Sequence, residues 1–276
     1  MILIVEPLNK SSTQKEIILN FLRKNVPFVT KDEKALKARE IMRESLLRIL
    51  PVFESESKRK VIGVVHRIDL LNISSTKSNL TVNDIMSRDF ILFDEEVEII
   101  EALRGMLKNG EWYSIVENKN GEFEGVFGLE GGIRYLVNIK KEKLSSAIDG
   151  IYTRNPIYLF ENEEISKVWY LMLKHKYAGF PVINDRKILV GVVTQHDLLK
   201  RGYSRPVFES SSSPRKIEVR EIMNVPPLSV SIDSTASEVV EIMLKKDIGR
   251  VYVVENKRLT GVVDREDIVR FLLKNP

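Results

Sequence analysis

The chain has 276 residues and is 43% hydrophobic, which is enough for a substantial core and about two domains. It contains no cysteine, so disulfides, thiolate metal sites and cysteine nucleophiles are excluded. The net charge of +4 reflects 43 basic and 39 acidic side chains, a smaller excess than dedicated nucleic-acid binders usually carry. No apolar run approaches the ~18 residues that span a bilayer, and the apolar residues 1–5 are too few for a signal peptide. We therefore expect a cytoplasmic protein without a membrane segment.

One order of elements recurs four times along the chain: a short apolar strand, a helix, a pair of strands and a closing helix. The first strands are predicted at residues 27–29, 90–93, 156–159 and 228–230. In the fourth copy, a helix over residues 236–246 can be capped by Thr235 with Glu238, or by Ser234 with the backbone three residues on. Ahead of the first copy, Ile17, Ile18, Phe21 and Leu22 are spaced as on a helix. Because one unit cannot cover its own sheet, the sequence predicts an α+β fold of four β-α-β-β-α repeats paired into two modules.

The last strand of each unit carries Gly-Val-Val or a close relative and runs into the closing helix. The glycines are Gly63, Gly125, Gly191 and Gly261. An aspartate follows six residues after the glycine in three copies, as Asp69, Asp197 and Asp267. In the third copy Thr194 precedes Asp197 by three residues, so a hydroxyl and a carboxylate are presented together at a helix start. The second copy has Gly128 and Gly131 at these two positions.

This repeat resembles the CBS domain, named for cystathionine β-synthase, over nearly the whole chain. We expect copies at residues 1–75, 78–140, 141–203 and 214–276, with the second degenerate. Four copies without a recognisable catalytic domain resemble the γ regulatory subunit of AMP-activated protein kinase and stand-alone prokaryotic CBS proteins. The resemblance implies a non-catalytic regulatory protein that binds AMP, ADP or ATP in clefts between paired repeats and acts on a regulated enzyme. S-adenosylmethionine is an alternative ligand in this family.

The resemblance also implies which residues hold the ligand in the third repeat, the copy with the complete motif. The Asp197 carboxylate would accept the ribose hydroxyls, and Thr194 would contact a phosphate or the ribose. The adenine contacts carried over from the family are Asn155 and Ile157 on the first strand and Ala178, Phe180 and Pro181 on the second.

The other repeats depart from the pattern to different extents. Repeat one has Asp69 with His66 in place of the hydroxyl and Arg67 next to it, and these two side chains would favour phosphate. Repeat four has Asp267 with Asp264, whose extra carboxylate would repel phosphate and weaken the site. We expect no ribose site in repeat two.

Phosphates need cations, and two arginines match family positions that reach phosphates in neighbouring sites. These are Arg48 and Arg250, each just ahead of a paired strand. Repeat two has Trp112 and Tyr113 in the corresponding place, and the resemblance assigns them no role.

Other readings of the sequence stay open. A pI near 9 and the basic residues Arg201, Arg205, Arg215, Lys216 and Arg220 would suit a nucleic-acid-associated protein. No catalytic triad, phosphate-cradling glycine loop or metal cluster stands out, so we expect neither intrinsic catalysis nor a bound metal. The two modules either pack on each other within one chain or mediate a homodimer.

Overall fold

The computed structural model describes residues 16–73, 79–203 and 216–274. The strands of these residues are β1 (Val29–Thr30), β2 (Ile49–Phe53), β3 (Val61–His66), β4 (Leu92–Asp94), β5 (Tyr113–Glu117), β6 (Phe123–Gly128), β7 (Thr153–Arg154), β8 (Leu159–Phe160), β9 (Gly179–Ile183), β10 (Leu189–Thr194), β11 (Ser229–Ser231), β12 (Arg250–Glu255) and β13 (Arg258–Asp264). The α-helices are α1 (Ala35–Glu44), α2 (Arg67–Leu71), α3 (Val82–Ile85), α4 (Ile99–Asn109), α5 (Leu129–Ile139), α6 (Ile165–His175), α7 (Gln195–Lys200), α8 (Ala236–Lys245) and α9 (Arg265–Leu273).

Each repeat forms its own small sheet, in which the first strand runs parallel to the second and the second antiparallel to the third. The sheets are β1-β2-β3, β4-β5-β6, β8-β9-β10 and β11-β12-β13, with β7 added beside β13. The predicted α+β class with four repeats is confirmed. The first strands begin one to three residues later than predicted, because only their final residues lie beside the second strand.

Two local features predicted from the sequence can be compared directly with the structure, the cap of α8 and the helix ahead of repeat one. Thr235 and Glu238 form the expected reciprocal cap of α8, with the Glu238 carboxylate accepting from the Thr235 N–H at 2.8 Å. The segment ahead of repeat one contains a single 3₁₀ turn, Ile18–Phe21, instead of an α-helix.

Repeats pair because the segment that leads into each one crosses to its neighbour. Val64 in repeat one exchanges two backbone hydrogen bonds with Ser87 of repeat two, at 2.9 and 2.8 Å. Val192 in repeat three does the same with Asn224 of repeat four, at 3.1 and 2.7 Å. Gly191 permits this close approach, since a Cβ there would lie 2.5 Å from Met223 Sδ. Repeats one and two, and three and four, are thus the paired modules.

The two modules also pack on each other within the chain, and this creates two hydrophobic cores. One core combines buried side chains of repeats one and three, such as Met42, Leu70 and Leu198. The other combines repeats two and four, through side chains such as Leu136 and Ile268. Helices α1 and α2 contact α7, and α4 and α5 contact α9. Among the described residues, no helix combines the length and apolar character that crossing a membrane requires.

Candidate functional site

A cavity of about 290 Å³ lies where the four repeats meet, and we call it the central cavity. Its volume is near the lower end of the ~300–1,000 Å³ of small-molecule pockets. The residues that line it and matter below are Ala178, Thr194, His196 and Asp197 from repeat three, Pro226, Pro227, Leu228, Asp247, Ile248, Arg250 and Arg265 from repeat four, Leu46, Arg48 and Arg67 from repeat one, and Tyr113 from repeat two. Its walls therefore come from both modules.

Thr194 and Asp197 form the polar corner of the central cavity. Asp197 Oδ2 accepts from the Thr194 N–H at 2.8 Å and from the Thr194 hydroxyl at 2.6 Å, while the Asp197 N–H donates to that hydroxyl at 3.2 Å. These bonds fix the rotamer of a side chain in a residue that is only 9% exposed. Asp197 Oδ1 accepts no hydrogen bond from the described residues, so it is available to a ligand hydroxyl.

Four guanidinium groups line the central cavity, and two of them are held by buried hydrogen bonds. Arg67 donates to the carbonyls of Leu47 and Ser45, and burial lowers its pKa to about 10. Arg265, which is 2% exposed, donates to Glu130, Asp247 and the Tyr113 hydroxyl, at 2.9, 2.7 and 3.3 Å respectively. Both side chains are therefore fixed before any ligand arrives.

The other two guanidinium groups, those of Arg48 and Arg250, have weaker electrostatic partners. Arg48 forms no ion pair with the described residues, and burial lowers its pKa to about 10, which leaves it charged at neutral pH. Arg250 Nε lies 3.9 Å from Asp264 Oδ2, beyond hydrogen-bond distance. Weakly compensated cations that line one cavity create a preference for an anion.

Apolar side chains form the remaining wall. Pro226, Pro227 and Ile248 line the central cavity together with Leu46 and Leu228, two of the exposed large apolar side chains. An apolar wall opposite a carboxylate and several guanidiniums suits a ligand with a flat apolar part, hydroxyl groups and negative charge.

In repeat two, the chain's own side chains fill the place that corresponds to the Thr194–Asp197 corner. A Cβ on Gly128 would lie 2.6 Å from Glu130 Oε1, and one on Gly131 would lie 2.7 Å from the Phe21 carbonyl oxygen. Glu130 accepts from Arg23 Nε at 2.5 Å and from Arg265, and Arg23 also donates to Asp247 at 2.9 Å. We call Arg23, Glu130, Asp247 and Arg265 the Arg23 network. It closes a ring of two cations and two anions that links the lead-in of repeat one with repeats two and four.

The motifs of repeats one and four differ from that of repeat three as the sequence indicated. In repeat one, Asp69 accepts from the His66 N–H at 3.1 Å. A cleft that His66 lines, and Asp69 does not, holds about 10 Å³, room for one water at most. In repeat four, burial and the neighbouring Asp264 raise the pKa of Asp267 to about 7. An aspartate that is half protonated at neutral pH is a poor acceptor for ribose hydroxyls.

The structure brings together only some of the residues predicted for the repeat-three site. Ala178, Thr194 and Asp197 line the central cavity, and so do Arg48 and Arg250. Arg48 and Arg250 do not occupy equivalent positions in their repeats. Arg250 lies opposite Asp264 in the β12–β13 pair, and the residue that lies opposite the corresponding His66 in the β2–β3 pair is Ile49. Their ligand contacts remain predictions.

None of the predicted adenine contacts Asn155, Ile157, Phe180 and Pro181 lines the central cavity, and their role in adenine binding stays a prediction. Asn155 belongs to the lead-in that crosses to repeat four, where its N–H donates to the Thr260 carbonyl at 3.1 Å. Ile157 packs against the core of repeats one and three. Phe180 is fully buried in that core, and Pro181 is buried on β9.

Sequence reasoning named Arg67 as favouring phosphate in repeat one but missed several other residues of the site. Arg265 stands four residues after its motif glycine, as Arg67 does, so comparing repeats one and four at that position would have found it. His196 also lines the central cavity, where its ring nitrogen lies 3.2 Å from the Arg43 carbonyl and burial lowers its pKa. Asp247, Glu130 and Arg23 carry no sequence signal of their own.

The basic stretch considered for nucleic acid lies partly outside the described residues, since Arg205 and Arg215 are not described. The three that are described have local partners. Lys216 pairs with Glu164 at 2.7 Å, Arg220 with Glu218 at 2.5 Å, and Arg201 donates to the Glu221 carbonyl at 3.3 Å. Two of the three are therefore paired with a carboxylate, and Arg201 with a backbone carbonyl.

Four repeats with one shared topology define a tandem-repeat α+β protein with a cavity at the repeat junction. A family model of the CBS domain matches the chain at residues 15–75, 82–138, 148–203 and 219–274. The chain belongs to the CBS-domain family, and the resemblance inferred from the repeated motif is confirmed.

Similar proteins occur in archaea. Protein MJ1404 of Methanocaldococcus jannaschii is 29% identical over 93% of this chain, which spans 62% of the length of MJ1404. Protein MJ1225 of the same organism is 24% identical over 85% of this chain and 91% of its own length. Relatives with enzyme names, by contrast, each match less than half of this chain.

Two solved structures share the fold. That of MJ1225, described as a proposed archaeal homologue of g-AMPK, superposes with a TM-score of 0.81 at 22% identity and covers 93% of this chain and 99% of that one. A conserved protein of Pyrococcus horikoshii has a TM-score of 0.63 at 18% identity and covers 94% of this chain and 100% of that one.

Proposed function

We propose that this chain is a regulatory protein without catalysis of its own, and that its central cavity binds one adenine nucleotide, AMP, ADP or ATP. The observation that carries the proposal is the Thr194–Asp197 corner beside four guanidinium groups. Asp197 Oδ1 accepts a ribose hydroxyl, the apolar wall holds the adenine, and the arginines receive the phosphates. A cytoplasmic location belongs to the same proposal.

The regulatory mechanism follows from the origin of the cavity walls. A nucleotide held by Asp197 and Arg48 contacts both modules at once, so it favours the arrangement in which they are packed as described. Such differential affinity shifts the population of module arrangements, and a partner enzyme that docks on one arrangement would sense it. The fold shared with MJ1225, described as a proposed homologue of g-AMPK, is in keeping with this role.

S-adenosylmethionine is the less suitable ligand for the central cavity. It carries a sulfonium and an ammonium group where a nucleotide carries phosphates, and four guanidinium groups would repel these cations. Nucleic acid binding receives no support from the described residues, because the basic groups of the linker that are described have local partners.

The proposal is tested by calorimetric titration with adenosine, AMP, ADP, ATP and S-adenosylmethionine. We expect the nucleotides to bind, and Asp197→Asn to weaken them at least tenfold because one ribose acceptor is lost. Asp69→Asn is the matched control, since Asp69 does not line the central cavity. Absence of nucleotide binding at millimolar concentration, or equal effects of the two substitutions, would refute the proposal.

A further inference from the structure

Two of the cavity's guanidinium groups share one aromatic ring that lies outside the cavity lining. Arg48 Cζ is 4.4 Å and Arg250 Cζ is 5.2 Å from the centre of the Trp112 ring. The three residues belong to three different repeats, one, four and two. Trp112 itself is not among the lining residues, so it supports the two cations from behind.

Like charges held this close repel each other, and each would gain hydration by turning towards solvent. The face of a tryptophan ring attracts cations, and the attraction grows when water is excluded. Arg250 also lies 5.3 Å from the Tyr177 ring, whereas the only ring contact of Arg48 in the described part of the chain is the one with Trp112.

The position of Trp112 is fixed by its surroundings. Its side chain packs against both hydrophobic cores, and its carbonyl accepts the Leu129 N–H at the start of α5 at 3.0 Å. Gly249 leaves room for this assembly, since a Cβ there would lie 2.7 Å from Trp112 Cζ3 and 3.2 Å from Arg48 Cζ. A ring fixed in this way restrains the two cations before an anion binds, which lowers the entropy lost on binding.

We propose that Trp112 is a positioning residue that holds Arg48 and Arg250 together as a phosphate receptor spanning both modules. The inference rests on the proposed function, and it adds a specificity: Trp112 contributes to binding of the phosphate groups and not of the nucleoside. The repeat that has lost its own ribose motif thus serves the site of repeat three.

The test compares Trp112→Leu with Trp112→Phe, which keeps an aromatic face, using adenosine, AMP, ATP and inorganic tripolyphosphate as probes in calorimetry. We expect Trp112→Leu to weaken ATP and tripolyphosphate roughly tenfold while adenosine binds as in the unmodified chain. Trp112→Phe should recover most of the loss. Equal weakening of adenosine and ATP, or no weakening of either phosphate probe, overturns the inference while the proposed function stands.

A second variant covers the case in which Trp112→Leu fails to fold. Gly249→Ala places a methyl group against Trp112 and Arg48 and should produce the same phosphate-selective loss. Unchanged affinity of Gly249→Ala for ATP and tripolyphosphate contradicts the inference.

The fluorescence of Trp112 provides a further test, because its response to phosphate ligands would not be expected if Trp112 had a purely structural role. The chain has two tryptophans, so Trp169→Phe leaves Trp112 as the single reporter. ATP and tripolyphosphate should change its emission and adenosine should not; identical responses count against the inference. If tripolyphosphate binds and no nucleotide does, the proposed function fails, and the variants test the receptor with tripolyphosphate alone. If neither binds, both proposals fail.

Discussion

Arg265 donates a hydrogen bond to Asp247 at 2.7 Å, and both residues line the central cavity while belonging to the Arg23 network. The Arg265 guanidinium therefore belongs both to the candidate ligand site and to the network that fills the place of the Thr194–Asp197 corner in repeat two. Hydrogen bonds from Arg23 and Arg265 lower the pKa of Asp247 although its burial raises it. Asp247 consequently stays charged across the neutral pH range.

The first prediction concerns the stability contributed by Glu130. Replacing it with alanine leaves the fully buried Arg265 with one carboxylate fewer, and removing one partner of a buried pair typically costs about 3–5 kcal/mol. Urea unfolding monitored by circular dichroism measures the loss. Glu266→Ala, which removes an ion pair with the half-exposed Arg270, is the control and should cost less than about 0.5 kcal/mol. Equal free energies of unfolding for the two variants would contradict the assignment.

The second prediction concerns Arg250 as a phosphate ligand. Arg250→Met keeps much of the apolar stem and removes the charge, so AMP should bind roughly 10- to 100-fold more weakly while adenosine is unaffected. Arg258→Met removes the same charge from an exposed position and should leave both affinities unchanged. Calorimetry with the two ligands decides the matter, and a parallel loss for adenosine would mean that the substitution disturbs the whole cavity.

The third prediction is a pH dependence set by Asp267. Its pKa of about 7 lies above the usual 3.8, so the folded chain holds this proton more tightly than the unfolded chain does. The stabilisation is complete below about pH 4 and is lost as the pH rises through about 7, with a size on the order of 2 kcal/mol. Asp264→Asn removes the repelling charge and should reduce this loss. Unfolding at pH 5 and pH 8 compares the two proteins, and an identical pH slope would argue against the coupling.

The fourth prediction concerns repeat two, whose motif cannot be restored by one substitution. Gly131→Asp puts a Cβ 2.7 Å from the Phe21 carbonyl oxygen and a carboxylate next to Glu130, so we expect destabilisation of about 1–3 kcal/mol and no new nucleotide site. Asn138→Asp adds the same charge at an exposed position of α5 and serves as the control. A second binding event in calorimetry of Gly131→Asp would contradict this prediction. It would mean that repeat two lacks a nucleotide site only because it lacks the carboxylate.

Much of the fold could be predicted from local patterns in the sequence. The repeated glycine motif and its aspartates predict four similar units, and the Thr194–Asp197 cap forms at the predicted helix start. These features depend on neighbours within a few residues, where spacing along the chain determines contact.

Contacts between repeats could not be predicted from the sequence. The lead-in that holds Asn155 crosses to repeat four, and nothing in the local pattern indicates which neighbour a lead-in joins. Arg23 and Asp247 are 224 residues apart, so no spacing rule connects them. The arginines of the cavity become one site only because the modules pack on each other.

The most direct test of the account is a crystal structure of the chain with AMP. We predict one nucleotide in the central cavity, with a ribose hydroxyl on Asp197 Oδ1 and the phosphate between Arg48 and Arg250. AMP bound at Asp69 or Asp267 with the central cavity lacking nucleotide density would contradict it.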